Sequence, residues 1–170
     1  MEKKMEKVLA DREARWRLRL KEAALSRGCL ITATLRIPFE YRTSRIFVRF
    51  MKKTCRFLCR ELAMRKVCID KKTWVMGNDG PALFLLVDKC PEYTKGLCVE
   101  FEEKTPYGKV LDLDIMDRNG MVVSREQLGL TARKCFICDN PAAVCSSRKM
   151  HSPEELAEAL EKITGIRLCN

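Results

Sequence analysis

The order of its hydrophobic patterns constrains the fold of this chain more than any other feature. Four segments have the composition and spacing of β-strands, at residues 30–37, 67–76, 82–87 and 110–116. Between them, residues 44–65 and 92–104 carry apolar side chains at helical spacing. The predicted order is therefore strand, helix, strand, strand, helix, strand, and few architectures bury all six segments around one core.

Local signals support these segments. Ile31, Ala33 and Leu35 alternate with polar residues in the first strand, which ends before a proline. Ser44 precedes the first helix and has the chemistry of an N-cap. Residues 77–80, with the sequence Gly-Asn-Asp-Gly, predict a tight turn between the second and third strands.

This order of elements is that of the ferredoxin-like split βαβ core. We therefore expect an α+β chain in which two helices cover one face of a four-stranded antiparallel sheet. Residues 5–27 predict an additional helix at the N-terminus. Ser152, Pro153 and Glu155 form a capping box with proline at the first helical position, which predicts a further helix at the C-terminus. We expect residues 1–170 to form a single domain.

The positive net charge of the chain limits the classes of partner that it is expected to bind. It has 33 Lys and Arg against 23 Asp and Glu, a net charge of +10, which attracts nucleic acid, polyphosphate ligands or acidic proteins.

No apolar run approaches the roughly 20 residues of a membrane span. No secretion signal follows the charged N-terminus, so we expect a cytoplasmic protein without a membrane partner. With His151 as its single histidine, the chain has little scope for a Ser-His-Asp mechanism.

Two aspartates in the fourth predicted strand carry the strongest chemical signal. Asp112 and Asp114 are two residues apart, so their side chains share one face at roughly 6.5 to 7 Å between Cα atoms. A bound Mg²⁺ would remove the repulsion between two such carboxylates. On a helix they would diverge by about 200° and share no ion. The alternative is a solvated strand face whose polar positions are acidic.

The residues around this pair add two hypotheses. Asp117, Glu100 or Glu102 could supply a third carboxylate for the metal, and the sequence does not select among them. Gly108, just before the strand, allows close approach of the backbone to a phosphate. The alternative for Gly108 is an ordinary turn after Pro106.

The ten cysteines divide into a cluster and scattered residues. Cys135, Cys138, Cys145 and His151 are the inventory of a closed Cys₃His zinc site. The alternative is a set of reduced thiols in a loop that packs on the sheet. Seven other cysteines are predicted to be small buried hydrophobes: Cys29, Cys55, Cys59, Cys68, Cys90, Cys98 and Cys169.

Several arginines are candidates for binding an anionic ligand. Arg12 and Arg15 lie on the predicted N-terminal helix, and Arg36 lies on the polar face of the first strand. Arg42 and Arg45 flank the start of the next helix, where backbone amides favour anions. The alternative for all of them is a solvated surface.

Taken together, these segments resemble the family of citrate lyase holo-acyl-carrier-protein synthases, which are phosphoribosyl-dephospho-CoA transferases. The resemblance extends over most of the chain, through residues 11–15, 37–38, 108–115, 124–125 and 128–130. It is densest at Arg133, Cys135, Cys138, Ala142, Cys145, His151, Ser152, Glu155 and Leu156.

The resemblance implies an activity of the nucleotidyltransferase type. Members of the family attach 2'-(5''-triphosphoribosyl)-3'-dephospho-CoA to a serine of the acyl carrier subunit of citrate lyase and release pyrophosphate. Asp112 and Asp114 would bind Mg²⁺ and carry the catalysis. Lys109 would join Gly108 and the arginines at 12, 15, 36 and 42 in binding the substrate. The basic surface suits an acidic carrier subunit.

Two other functions compete with this one. A zinc-stabilised basic domain of this type could bind RNA, but such domains expose aromatic residues for base stacking. Aromatic residues are only 7% of this chain, and the first and fourth strands contain none. The third hypothesis is an accessory protein that docks an acidic enzyme subunit without catalysing transfer. The transferase therefore remains our leading interpretation, with no nucleic acid partner.

Overall fold

A computed structural model describes residues 2–168 of the chain. The helices are α1 (Glu2–Leu25), α2 (Arg45–Met64), α3 (Pro91–Lys104), α4 (Ala142–Ser147) and α5 (Pro153–Thr164). The strands are β1 (Cys29–Leu35), β2 (Ile69–Gly77), β3 (Gly80–Val87), β4 (Leu111–Asp117) and β5 (Val122–Val123). Short 3₁₀ helices occur at Phe39–Tyr41, Pro106–Val110 and Glu126–Leu128. The strands form one sheet in the order β2-β3-β1-β4-β5, in which all neighbours are antiparallel.

The predicted α+β class and antiparallel sheet are confirmed. The sheet has five strands rather than the predicted four, because Val122 and Val123 add a short strand beside β4. A strand of two residues is too short to show a period in the sequence. The more specific ferredoxin-like assignment stays a prediction.

The main core lies between one face of the sheet and the helices α2 and α3. Ile31 of β1 and Leu113 of β4 are buried there against Phe47 and Leu58 of α2. Leu160 of α5 belongs to the same core, so the C-terminal helix is docked onto this layer. Ile31, Ala33 and Leu35 of β1 all belong to this core, so the alternate residues of this strand share one face, as their spacing predicts.

A second, smaller core lies on the opposite face of the sheet. It contains Leu30, Phe84, Leu86 and Met116 from the strands, together with Ala23 of α1. The N-terminal helix therefore covers the face that the prediction left open. Because both faces are covered, β3 is buried along its whole length and has a continuous apolar sequence.

The strand β4 has one apolar face and one polar face. Leu111, Leu113 and Ile115 point into the main core, whereas Asp112 and Asp114 lie on the α1 side. The acid pair is thus held on a strand that packing fixes in register. No helix within residues 2–168 combines the length and the apolarity needed to cross a membrane.

The prediction for the scattered cysteines is partly confirmed. Cys29, Cys55 and Cys98 are buried, and burial raises the thiol pKa to about 11, about 12 and about 12, respectively. Cys59 is partly buried. The prediction is wrong for Cys68 and Cys90, which are exposed, and Cys169 lies outside the described residues. The buried thiols are therefore inert packing groups.

Candidate active site and metal centre

Asp112 and Asp114 lie side by side on the polar face of β4, as their spacing predicts. They are opposite Thr34 and Thr32 of β1 in the antiparallel register. Their side chains are 49% and 41% exposed, so both carboxylates are open to a ligand from solvent. Burial raises the pKa of Asp112, and the negative charge of Asp114 raises it further. A cation at this position would relieve both effects.

Arginines from two other parts of the chain reach these carboxylates. Arg133 Nη1 donates to Asp112 Oδ1 at 3.0 Å, and Arg19 Nη1 of α1 is 3.5 Å from Asp114 Oδ2. Arg36, which follows β1, also offsets the raised pKa of Asp112 through its positive charge. Burial and the neighbouring Arg36 lower the pKa of Arg133 to about 10. Cationic side chains from several parts of the chain therefore surround the two carboxylates.

Arg19 has donors that the described residues leave without a partner. Its side chain is 12% exposed, and its Nε and Nη2 are buried without a hydrogen bond. Its guanidinium lies over the ring of Trp16 at 5.3 Å. The hydroxyl of Thr32, which faces Asp114 across the sheet, is also buried without a partner. Such groups are uncommon in folded proteins, and phosphate oxygens would satisfy the guanidinium donors.

The structure gives Arg12 and Arg15 a contact within the chain. Both pair with Asp79, a buried residue of the turn between β2 and β3. Asp11 assists them, because its Oδ2 accepts from Asn78 N at 2.6 Å. The arginines predicted to bind the ligand thus hold α1 to this hairpin. Arg19 was missed, although it follows Arg12 and Arg15 on the same helix face.

Arg42 lies close to this hairpin. Its Nε donates to the carbonyl of Ile37 at 2.9 Å. Burial lowers its pKa, and the positive charges of Arg12 and Arg15 lower it further. The predicted N-cap of α2 is present, since Ser44 Oγ accepts from Phe47 N at 3.4 Å. Arg42 therefore adds positive charge beside the α1 arginines.

Gly108 and Lys109 lie in the 3₁₀ helix before β4. A Cβ at Gly108 would lie 2.2 Å from the carbonyl oxygen of Phe101, so close packing on α3 requires glycine there. Its amide donates to Thr105 Oγ1 at 3.0 Å. The turn after Pro106 thus explains Gly108 without a phosphate. Lys109 is exposed, and its carbonyl accepts from Arg36 Nη1 at 3.5 Å.

Side chains bond to the edge of β4 where β5 does not pair with it. The Leu113 amide donates to Glu102 Oε1 at 2.8 Å, and the Leu113 carbonyl accepts from Lys95 Nζ at 3.1 Å. The Leu111 carbonyl accepts from Arg133 Nη1 at 3.2 Å. These bonds anchor the backbone on either side of Asp112.

Glu102 is the centre of this network. Its side chain is only 3% exposed, and it forms ion pairs with Arg125, at 2.6 Å, and with Arg133. Arg133 therefore bridges a buried carboxylate and Asp112. Arg125 also pairs with the exposed Glu103, with 2.5 Å between Nη1 and Oε1.

No third carboxylate converges with Asp112 and Asp114 among residues 5–168. Glu102 reaches Asp112 only through Arg133. Glu100 pairs with Lys104 and Arg65, and Asp117 accepts from the amides of Asn119 and Met121. The prediction of a third carboxylate ligand is therefore not met by this arrangement.

The four residues of the predicted Cys/His cluster lie close together in the structure. The ligand atoms of Cys135, Cys138, Cys145 and His151 all lie within 4.8 Å of one another. His151 Nε2 is 3.5 Å from Cys135 Sγ and 3.4 Å from Cys138 Sγ, and the sulfurs of Cys138 and Cys145 are 3.4 Å apart. Three thiols and one imidazole at these separations fit the donor set and size of a tetrahedral zinc site.

The pKa shift of Asp112 predicts a stability effect. The pKa of Asp112 is higher in the folded state than in the unfolded state, so the ionised carboxylate destabilises the fold when the pH is above the folded-state pKa. This destabilisation disappears as the pH falls through the folded-state pKa and then below the unfolded-state pKa. We therefore expect the free energy of unfolding of Asp112→Asn to equal or exceed that of the wild type at neutral pH. Urea denaturation measures it.

Asp70→Asn is the matched control with the opposite sign. A hydrogen bond and an ion pair from Arg27 lower the pKa of Asp70, so its stabilising effect is present at neutral pH and is lost as the pH falls through the folded value. Because Arg27 is 68% exposed, the effect is small, and this variant should be slightly less stable than the wild type at neutral pH. A clear loss of stability in Asp112→Asn would contradict the destabilisation assigned to the ionised Asp112 carboxylate.

Comparison with known proteins identifies the family. The model of the apo-citrate lyase phosphoribosyl-dephospho-CoA transferase family matches residues 3–165. A probable transferase of that name from Vibrio cholerae strain O395 is 25% identical over 144 residues, covering 82% of this chain and 79% of that protein. Another, from Streptococcus pyogenes strain MGAS8232, is 29% identical over 139 residues, covering 80% and 71%.

A third relative of the same name, from Vibrio cholerae strain M66-2, is 27% identical over 113 residues, covering 66% of this chain and 62% of that protein. These matches give no support to the RNA-binding alternative. Because the family match spans both the acid pair and the Cys/His cluster, the chain belongs to the apo-citrate lyase phosphoribosyl-dephospho-CoA transferase family and is a transferase.

Proposed function

We propose that this transferase attaches 2'-(5''-triphosphoribosyl)-3'-dephospho-CoA to a serine of the citrate lyase acyl carrier subunit and releases pyrophosphate in the cytoplasm. The observation that carries the proposal is the pair of half-exposed carboxylates at Asp112 and Asp114, flanked by Arg19 and Arg133. This combination of charges suits the transfer of a phosphoryl group that carries a nucleotide-like substituent.

The reaction makes one bond and breaks one bond. The serine hydroxyl of the carrier attacks the α-phosphorus of the triphosphate, and the bond from this phosphorus to the bridging oxygen of pyrophosphate breaks. Asp112 or Asp114 accepts the hydroxyl proton. Pyrophosphate leaves with the electrons of the broken bond. The product is a phosphodiester between the carrier and the prosthetic group.

The acid pair has the chemistry of a Mg²⁺ site. Two carboxylates on one strand face offer the oxygen ligands that Mg²⁺ prefers, and waters complete its coordination. Burial and the negative charge of Asp114 both raise the pKa of Asp112, and a bound cation would favour its ionised form. When bound, Mg²⁺ would neutralise charge on the triphosphate and on the departing pyrophosphate. Arg19 and Arg133 would hold the phosphate oxygens beside the carboxylates.

Two neighbouring grooves provide room for the substrate. A groove of about 420 Å³ beside Asp112 is lined by Arg36, Lys95 and Arg133. Arg36 also lines a larger groove of about 760 Å³. The walls of the larger groove include Pro38, Phe39, Phe136, Met150 and Leu156. We assign the triphosphate to the cationic groove and the dephospho-CoA moiety to the more apolar one.

A transfer assay tests the proposal. The protein is incubated with purified apo-carrier subunit, the triphosphate precursor and Mg²⁺. Intact-mass measurement of the carrier should show one added prosthetic group, and coupled detection should show one pyrophosphate per carrier. A carrier whose acceptor serine is replaced by alanine is the control and should gain no mass.

The assay also separates the transferase from a docking protein. An accessory role predicts a complex with the carrier but no release of pyrophosphate and no effect of EDTA. That result would overturn the proposed reaction. The net charge of +10 favours an acidic carrier in both cases, so complex formation alone decides nothing.

A further inference from the structure

We propose that Cys135, Cys138, Cys145 and His151 hold one structural zinc ion, and that this centre positions Arg133 and Arg36 at the acid pair. The assignment of the metal stands on geometry alone. The positioning role rests on the proposed function, because it concerns how the substrate phosphates are bound.

The separations between the ligands suit zinc. With Zn–S near 2.3 Å and Zn–N near 2.0–2.1 Å, tetrahedral geometry places the ligand atoms roughly 3.5 to 3.8 Å apart. Three of the pairs here lie at 3.4 to 3.5 Å. The sulfurs of Cys138 and Cys145 are too far apart for a disulfide, in which they would be about 2.05 Å apart.

The surroundings of the cluster indicate a structural rather than a catalytic metal. Four protein ligands fill a tetrahedral shell and leave no place for a substrate. Cys145 is buried, and the side chain of His151 is 12% exposed. The amide of Ile137 points to Cys135 Sγ at 3.5 Å, a contact that supports a metal-bound thiolate.

The segment that carries the ligands needs such a centre. Between Arg133 and His151 the regular structure is the six-residue helix α4, in which Cys145 is the buried residue. Apart from Phe136, which packs against the main core, the segment buries little apolar surface to offset the entropy of ordering it. Zinc binding in small, core-poor segments supplies this free energy.

The same loop carries the contacts to the acid pair. Arg133 is two residues before Cys135, and its carbonyl accepts from the amide of Ala142 at 2.8 Å. The amide of Cys135 donates to Asn140 O at 2.9 Å. The Arg133 guanidinium, at the start of this closed loop, binds Asp112.

Phe136 makes a second connection. It lies between two ligands in the sequence, and its ring is 5.2 Å from the guanidinium carbon of Arg36. Arg36 lines both grooves assigned to the substrate. Loss of the metal would therefore loosen the segment that carries Arg133 and Phe136, and would disturb the placement of two of the cations that surround the ligand, Arg133 and Arg36, although neither is a zinc ligand.

Elemental analysis of the full-length protein, purified under reducing conditions without added metal, tests the zinc centre. We expect about one zinc per chain in the wild type and in the control Cys68→Ser, which changes an exposed thiol outside the cluster. Cys138→Ser and Cys145→Ser should lose the ion. Zinc-free wild-type protein with reduced thiols would overturn the assignment, whether or not the variants fold.

A mutant cycle tests the positioning role. Cys138→Ser and Arg133→Lys should each weaken precursor binding, measured by calorimetry, by about 10- to 100-fold. Because loss of zinc already displaces Arg133, adding Arg133→Lys to Cys138→Ser should weaken binding no further than Cys138→Ser alone. Circular dichroism confirms that each variant is folded. Multiplicative losses, or unchanged binding by folded, zinc-free Cys138→Ser, would overturn the role.

These results remain distinguishable from failure of the proposed function. Zinc content is measured without substrate, so a protein that holds zinc but does not transfer the group would refute only the transferase proposal. A protein that transfers the group without zinc would refute only the inference made here.

Discussion

Asp112→Asn and Asp114→Asn are each expected to slow pyrophosphate release by about 10³-fold, which corresponds to roughly 4 kcal/mol of lost transition-state stabilisation. Asparagine keeps the shape of each side chain but removes the negative charge that holds a divalent cation and accepts a proton. The measurement is the initial rate of pyrophosphate release with saturating Mg²⁺ and apo-carrier. Both variants should remain folded, since the two side chains are half exposed.

Asp117→Asn is the matched control on the same strand. Asp117 accepts backbone hydrogen bonds from Asn119 and Met121 in the turn after β4, and asparagine retains an oxygen for them. Its rate should stay close to that of the wild type. If both acid-pair variants also kept the wild-type rate, the metal and proton-transfer roles of the pair would be wrong.

Glu102→Ala is expected to lower the free energy of unfolding by about 3 to 5 kcal/mol. The change leaves Arg125 and Arg133, whose side chains are 11% and 19% exposed, without their buried carboxylate. It also removes the acceptor of the Leu113 amide at the edge of β4. Urea denaturation followed by circular dichroism measures the loss.

Glu103→Ala provides the comparison for this effect. Glu103 is the adjacent residue and also pairs with Arg125, but its side chain is 52% exposed. Exposed ion pairs contribute only about 0 to 1 kcal/mol, so this variant should unfold close to the wild type. If Glu102→Ala and Glu103→Ala lowered the free energy of unfolding by the same amount, burial of Glu102 would not be the reason for its effect on stability.

Local sequence patterns predicted most of the fold. The alternation in β1 indicates a strand, and the capping box at Ser152 marks the start of a helix. Both signals lie in residues that are close together in the sequence. The short strand β5 and the face that α1 covers were not predicted. Both depend on long-range packing, such as the burial of Ala23 and Phe84 in one core, which a local pattern of residues does not encode.

In the candidate site, too, local patterns predicted some features, whereas others depend on contacts between distant parts of the chain. The spacing of Asp112 and Asp114 and the residue types of the Cys/His cluster predicted which side chains lie together. The pairing of Arg19 with Asp114 joins residues far apart in the sequence, so only the topology reveals it. Arg12 and Arg15 were predicted to bind the ligand, but a buried carboxylate at Asp79 pairs with both. Residue type alone does not distinguish these two uses of arginine.

The most direct test is to locate a divalent cation in crystals of the full-length protein grown with Mn²⁺ and pyrophosphate. Anomalous scattering should place manganese within roughly 2 to 2.5 Å of carboxylate oxygens of both Asp112 and Asp114. Manganese bound elsewhere, with Asp112 still held by Arg133 and Asp114 still beside Arg19, would contradict the proposed catalytic site.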